Sequence, residues 1–488
     1  MGGFVAVVAK KGDNALQESV QAVQTLSHRG ADYFGASSGG EVYTADSPSG
    51  LPTFEAIAGS AFRLQKILDS DLPQPLETEY GSLIFEGEAY DDESLISSHN
   101  INHFLEGKKP FKALTDIVRK YDGMYVSVLN DGRRLFVARD PQGLKPLYYG
   151  ENPEVYALAS DRKALWFLGI TETLAFPPGS VSVITPYSKK DVRVREPELR
   201  QGRKVERADR AAKAVAALLI KAVRERSLDV NRVAVAFSGG VDSSILASIA
   251  KDLGIRVQLF TFGVEGFSDF SKAFEAAASL DLPISVIPKT LDEVEESLAE
   301  VAWLVEEPTL MNLEIAIPLY WTGDYASRKG EKVIFAGQGA DELFGGYKRF
   351  QTLYQKYGWE RAEEAIKDSL KGSPHLNYQR DEPIFSACKI RPRFPYTDLA
   401  LTEYAAGIPL QLNLSDPFDS LRKRVLREAA FRLSLPRSII ESKKKAIQYE
   451  TGSARALRII SKRHGLKPYR LVQMMFEKAK NTYLHPAK

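Results

Sequence analysis

Two stretches of this 488-residue chain have the make-up of sites. The first is FSGGVDSSIL at Phe237–Leu246, set between the apolar run RVAVAF and a helical pattern. Gly239 and Gly240 allow a ligand to approach the backbone and meet its N–H groups. A helix N-terminus just behind the loop adds partial positive charge suited to phosphate. Ser238, Ser243 and Ser244 add hydroxyl donors, more than a capped turn requires. Asp242 would repel phosphate if it acted alone, but it fits a divalent cation placed between carboxylate and phosphate. The common nucleotide pattern G-x-x-x-x-G-K-S/T is absent, and no lysine follows the glycines.

The second stretch is QGADELFGGY at Gln338–Tyr347, which follows the apolar run KVIFAG. It sets Asp341 and Glu342 at another strand end. Mg2+ typically takes one or two protein carboxylates together with substrate phosphates. Asp242 and Asp341, on neighbouring strand ends, are therefore the expected metal ligands.

The elements that must position these residues follow from periodicity. RVAVAF, RVQLFTFG, PISVIP and KVIFAG are short apolar runs separated by helical patterns, which predicts βαβ units and a parallel, doubly wound sheet. Ligands bind such sheets at the carboxyl ends of the strands. VDSSILASIAKDLG reads as a helix that turns Ile245, Leu246 and Ile249 inward and closes at Gly254. Beyond Asp341 the chain reads as mostly helical. Residues 1–200 differ: GSLIFEGEAY, RRLFVARD and SVSVIT are strand-like, while LQESVQAVQTLSH and FKALTDIVRKY have helical spacing. REPELRQGRKVERADR is charged and apolar-poor, as a linker is. Two domains are expected, 1–200 and 201–488.

Composition bounds the function classes. Lys and Arg total 65 against 63 Asp and Glu, and this balance gives no bias toward polyanions. Twelve Lys/Arg against two Glu lie between Lys443 and Lys488, read as a solvated helical surface with no nucleic-acid partner expected; contact with RNA is the competing reading. The single cysteine, Cys388, excludes an internal disulfide and a multi-cysteine metal site. No run approaches the roughly 20 apolar residues of a membrane span. MGGFVAVVAKKG lacks the features of a signal peptide, so a cytoplasmic location with no membrane partner is expected.

SGGVDSS is similar to the pyrophosphate loop of N-type ATP pyrophosphatases. Together with GQGADELFGGY it resembles the synthetase domain of glutamine-dependent asparagine synthetases, and RFPYTD, KRVLREAA and KKKAIQYETG follow in that family's order. LSHRGAD, FRL, EGEAYD, ARDPQGLKPLYY and SDRKAL resemble the family's glutaminase domain. The resemblance implies an α/β chain in two parts. Residues 1–200 would form an Ntn-hydrolase-like αββα sandwich, and 201–488 a PP-loop ATP pyrophosphatase domain with helical additions. It further implies ATP and Mg2+. A carboxylate, aspartate first among them, would become an acyl-adenylate with release of AMP and pyrophosphate, and ammonia or another amine would then attack. Ala236, Phe262 and Gly337 would surround adenosine, and Ser238 to Ser244 would hold pyrophosphate. Lys444 would stabilise acyl transfer, with Lys443 and Lys445 as alternative registers, and Tyr347 matches an active-site tyrosine. Gln338 stands where many members carry glutamate. A homodimer is compatible with the resemblance.

The glutaminase half departs from the family pattern. The family's nucleophile is a cysteine following Met1; here the residue is Gly2. Its Asn-Gly-Glu motif is replaced by Glu86-Gly87-Glu88, and a carboxylate at 86 would repel an oxyanion. Arg63 of FRL matches the carboxylate-binding arginine, but the amine-binding aspartate is missing from HFLEGKKPF. A degenerate glutaminase site made up of Gly2, Arg63, Glu86 and Gly87, with ammonia as the nitrogen source, is the expectation. The alternatives are a ligase of the β-lactam-synthetase kind that uses another amine, and a non-catalytic regulatory homologue. VEEPTLMNLEIAIP would line the acyl pocket.

Overall fold

The computed structural model describes all residues except 92–93, 200–206, 417, 420, 444 and 485–488. Lys444 and most of the expected linker therefore lie outside the described residues. The chain divides into two compact units, Met1–Glu196 with the stretch from Glu477 onward, and Pro197–Phe476.

The strand Gly2–Ala9 is apolar on both faces, and this sets the layering of the first unit. Val5, Val7 and Ala9 point to one side, where they pack with Leu16, Val20 and Leu26. Phe4, Ala6 and Val8 point to the other, against Ile84, Val126 and Val137 of a second sheet. The outer face of that second sheet, with Leu83 and Phe85, is covered by Ala113, Leu114 and Ile117 of the helix Pro110–Lys120. The result is helix, sheet, sheet, helix: an αββα sandwich with three apolar layers. Its strands pair antiparallel, as Gly2–Ala9 does with Ala58–Leu64 and Gly81–Asp91 with Asp122–Asn130.

The second unit is built on a five-stranded parallel sheet among the described residues. Its order is Ile284–Lys289, Arg256–Val264, Arg232–Ala236, Val333–Phe335, Arg391–Arg393. The first four strands fall on the apolar runs singled out in the sequence. The helix Val241–Asp252 buries Ile245, Leu246 and Ile249, and Gly254 follows it at φ +80°. The fifth strand, Arg-Pro-Arg, is an exception within the stretch beyond Asp341 that was expected to be mostly helical. It carries no apolar signature, and Pro is tolerated because the strand lies at the sheet edge. Its Arg393 is buried but paired with Asp229 through two hydrogen bonds of 2.7 and 2.9 Å. No helix among the described residues is long and apolar enough to cross a membrane.

Candidate active site

The strand Arg232–Ala236 lies at the centre of the parallel sheet. From it the chain adds two strands on one side, then crosses to add two on the other. The carboxyl ends of Arg232–Ala236 and Val333–Phe335 therefore flank the switch point, where open α/β sheets bind ligands. Both candidate stretches emerge there.

The loop after Ala236 runs close under the helix Ser271–Ser279. A Cβ on Gly239 (φ +69°) would come within 2.8 Å of the Lys272 carbonyl and 3.0 Å of Ala273 Cα, so only glycine lets the loop pass. The Ser238 N–H donates to Ser243 Oγ and the Gly240 N–H to Ser238 Oγ, both at 3.3 Å. No side chain caps the helix Val241–Asp252, which leaves its first turn open toward the loop. Ser244 Oγ is buried and has no hydrogen-bond partner among the described residues. Glycines, an uncapped helix start and an orphaned hydroxyl together suit an anion such as phosphate. Ala236 ends its strand and Phe262 is buried in the adjacent one. A Cβ on Gly337 would lie 3.3 Å from Asp242 Cβ, which puts these two residues side by side.

Asp242 and Asp341 converge on one cation that sequence reasoning missed. The Lys423 ammonium lies 2.8 Å from each carboxylate oxygen of Asp242 and 2.6 Å from Asp341 Oδ1. Lys423 is almost wholly buried, while both carboxylates keep some exposure. The segment that delivers it is strained: Arg422 and Lys423 have φ of 53° and 54°, a region that non-glycine residues seldom occupy. Arg427 and Asp419 help to hold it. The Arg427 guanidinium donates to the Leu421 and Arg422 carbonyls, each at 2.8 Å, and Asp419 accepts from the N–H groups of Leu421 and Arg422 at 3.0 and 3.2 Å. Gly346 makes room, since a Cβ there would meet Asp341 Oδ1 at 2.0 Å and Lys423 Cε at 2.1 Å. The buried Tyr396 hydroxyl donates to the Asp242 carbonyl at 3.0 Å. Two carboxylates already sharing one positive charge are a donor set that fits a divalent cation. Among the described residues no group of three or more Asp, Glu, His or Cys is assembled, and Mg2+ does not require one.

Glu342 and Tyr347 sit beside this centre. The Tyr347 hydroxyl and Asn377 Nδ2, the latter at 2.7 Å, both donate to Glu342 Oε1. Burial, and then the Asp341 charge, raise the Glu342 carboxyl above its ordinary range; burial, and then the Glu342 charge, push the Tyr347 phenol well up. Gln338 is not idle in place of a carboxylate: its amide donates to Asp381 Oδ2 at 2.7 Å, while Arg380 takes Asp381 Oδ1 at 2.7 Å.

The first unit has a separate buried constellation around Gly2. Its N–H donates to Glu86 Oε1 at 3.3 Å. Glu86 does not stand as a bare negative charge, because Lys145 Nζ lies 2.7 Å from Oε1 and Ser160 Oγ donates to Oε2 at 3.2 Å. Arg29 makes two 2.6 Å hydrogen bonds to Asp161. Burial alone would raise the Asp161 carboxyl, but the Arg29 guanidinium holds it well below the usual range. Arg63 is spent on backbone carbonyls, donating to Gly30 at 2.6 Å and to Val23 and Gln24 at 3.3 Å; burial lowers its pKa to about 10. A Cβ on Gly2 would lie 2.4 Å from the Arg63 carbonyl and 2.5 Å from Phe62 Cζ, so the position has no room for a side chain. A Cβ on Gly87, whose φ is +110°, would likewise lie 2.0 Å from the Met124 carbonyl.

The asparagine synthase family model matches residues 214–383 and 375–465, which take in the phosphate loop, both aspartates and Lys423. The chain belongs to the asparagine synthase family. A glutamine amidotransferase domain model matches residues 62–166 of the other unit. A Methanocaldococcus jannaschii protein, provisionally named asparagine synthetase (glutamine-hydrolyzing) 1, is 27% identical over 529 aligned positions, covering 96% of this chain and 97% of its own. The asparagine synthetase (glutamine-hydrolyzing) 1 of Bacillus subtilis is 28% identical over 428 positions, covering 76% of this chain and 62% of its own. A solved Bacillus subtilis glutamine phosphoribosylpyrophosphate amidotransferase is 20% identical, covers 56% of this chain and 70% of its own, and superposes with a TM-score of 0.34. As an asparagine synthase family member, the chain is a ligase of the carbon–nitrogen type.

Within that family assignment, Lys423 was present in the sequence as the first residue of KRVLREAA. Nothing local marked it: it lies 181 residues from Asp242, at the head of the charged helix Arg424–Arg432.

Proposed function

We propose that this asparagine synthase family member activates a carboxylate, with aspartate as the leading candidate, by adenylation and then forms an amide with ammonia. The observation that carries this reading is the meeting of Asp242 and Asp341 on Lys423 beside the Ser238–Ser244 loop. A carboxylate oxygen attacks the α-phosphorus, the bond to the β-phosphate oxygen breaks, and pyrophosphate leaves into the loop. Loop N–H groups and the hydroxyls of Ser238, Ser243 and Ser244 would receive that charge. Mg2+, if held by Asp242 and Asp341, would neutralise part of the polyphosphate charge. Ala236, Phe262 and Gly337 border the space for adenosine. Amine attack then expels AMP, with a lysine of the 443–445 run, Lys444 first, matching the transition-state charge. Tyr347, held by Glu342, presents a phenol near the same end of the sheet.

Ammonia is the proposed nitrogen source because the first unit lacks the parts of a glutaminase. Gly2 has no nucleophile and no room for one, and Arg63 is committed to carbonyls. The test is ATP–pyrophosphate exchange across candidate carboxylates, followed by mass analysis of the product formed with ammonia. Aspartate-dependent exchange with no product of the expected mass would remove the amide-forming half of the proposal.

A further inference from the structure

We propose that Lys272 is a polyphosphate-binding residue of this site, kept in reserve by Glu450 until the ligand arrives. The proposal rests on the reading that the Ser238–Ser244 loop receives the phosphates of ATP. It adds a residue that neither the loop pattern nor the order of motifs marks.

The geometry comes from the helix Ser271–Ser279, whose first turn lies against the loop. The Lys272 backbone sets the approach at Gly239, and its ammonium lies 3.8 Å from the point where a Gly240 Cβ would be. Ser238 Oγ lies 3.2 Å from that same point. A hydroxyl and an ammonium thus flank one position above the two glycines. The loop has no lysine of its own, and the buried Lys423 is already engaged by two carboxylates. Lys272 supplies a cation beside the Gly240 position of the loop.

Its present partner is Glu450, the last residue of the short helix Ile447–Glu450, with Lys272 Nζ 3.2 Å from Glu450 Oε1. The side chains are 32% and 18% exposed, so solvent and ligand can reach the pair. A lone carboxylate on a partly exposed ammonium is a weak partner. A polyphosphate offers several charged oxygens and stronger charge-assisted hydrogen bonds. Ligand binding therefore exchanges one anion for another at Lys272 and never leaves the ammonium without a partner.

This gives opposite signs for the two ends of the pair, which a merely structural salt bridge would not. Titration calorimetry of the full chain with inorganic pyrophosphate and Mg2+ measures the effect directly, with thermal unfolding as the check on folding. Lys272→Met is expected to weaken binding about 10- to 100-fold, and Lys272→Arg to retain most of it. Glu450→Gln is expected to tighten binding about 2- to 5-fold, because the competitor is removed. Unchanged affinity in Lys272→Met, or weakening in Glu450→Gln, overturns the proposal while leaving the phosphate-loop reading standing. If the unmodified chain binds neither pyrophosphate nor ATP, the loop reading itself falls, and this proposal with it.

Discussion

The Lys423 ammonium lies 2.6 Å from Asp341 Oδ1, and the same nitrogen holds Asp242 at 2.8 Å. Taking such a lysine out of water is unfavourable unless its partners are well placed, and losing one member of a buried pair commonly destabilises by about 3–5 kcal/mol. Lys423→Met would leave two carboxylates facing each other. The variant is expected to unfold several degrees below the unmodified chain in EDTA and to recover much of that loss when Mg2+ is added. Thermal unfolding with and without Mg2+ checks this. Equal loss in both conditions would show that the aspartates do not form a cation site.

Removal of either carboxylate should have the opposite character. Asp242→Asn and Asp341→Asn keep the shape of the side chain and leave Lys423 with one charged partner. Each is expected to reduce ATP–pyrophosphate exchange by about 100- to 1000-fold, the scale of a lost transition-state charge partner. Circular dichroism should show the fold preserved. Exchange at the unmodified rate in either variant would remove that aspartate from the chemistry.

The first unit gives a prediction about repair. Restoring a thiol through Gly2→Cys should yield no glutaminase, and should also destabilise the unit by about 1–3 kcal/mol, because the new Cβ meets the Arg63 carbonyl and the Phe62 ring. Adding Glu86→Asn should cost more stability, since it removes a buried carboxylate 2.7 Å from the Lys145 ammonium. Glutamate release from glutamine and urea unfolding measure the two effects. Robust glutamine hydrolysis by Gly2→Cys would contradict the closed geometry at this position.

How far the sequence spoke for the structure depended on whether the signal was local. The strands around Val233–Val235 and Leu259–Phe262 were legible because buried parallel strands are short apolar runs between turn residues. Asp242 was legible because a carboxylate in an anion loop demands a cation. Lys423 was not, since its role arises from contacts across 181 residues and from a left-handed backbone that no propensity anticipates. The strand Arg391–Arg393 was missed because it carries two arginines in place of an apolar run, Arg393 being paired with Asp229. At Glu86 the sequence suggested a carboxylate that would repel an oxyanion, and the fold supplies Lys145 to match its charge.

His28 gives a prediction about pH. Burial, and then the Lys163 charge, lower its pKa from 6.5 to about 4 despite the 2.9 Å contact with Asp161. The unfolded chain takes up this proton first, so the group's contribution to stability falls as pH drops from 6.5 to about 4, by about 3 kcal/mol in all. Asp140 opposes it: burial raises its carboxyl to about 6, and its contribution grows as pH falls from there toward 3.8. The comparison must therefore be between His28→Gln and the unmodified chain. The variant is expected to gain in relative stability across that acid range in denaturant titrations. A difference independent of pH would mean that His28 titrates normally.

The proposed reaction breaks ATP between its α- and β-phosphates. The most direct measurement is the nucleotide product formed from ATP labelled at the α-phosphate, with Mg2+, aspartate and ammonia present. AMP, released with an equal amount of pyrophosphate and only when a carboxylate is supplied, is the result expected from a loop that receives pyrophosphate beside Asp242 and Asp341. ADP and orthophosphate in its place would contradict adenylation, and with it the assignment of Ser238–Ser244 as the pyrophosphate site.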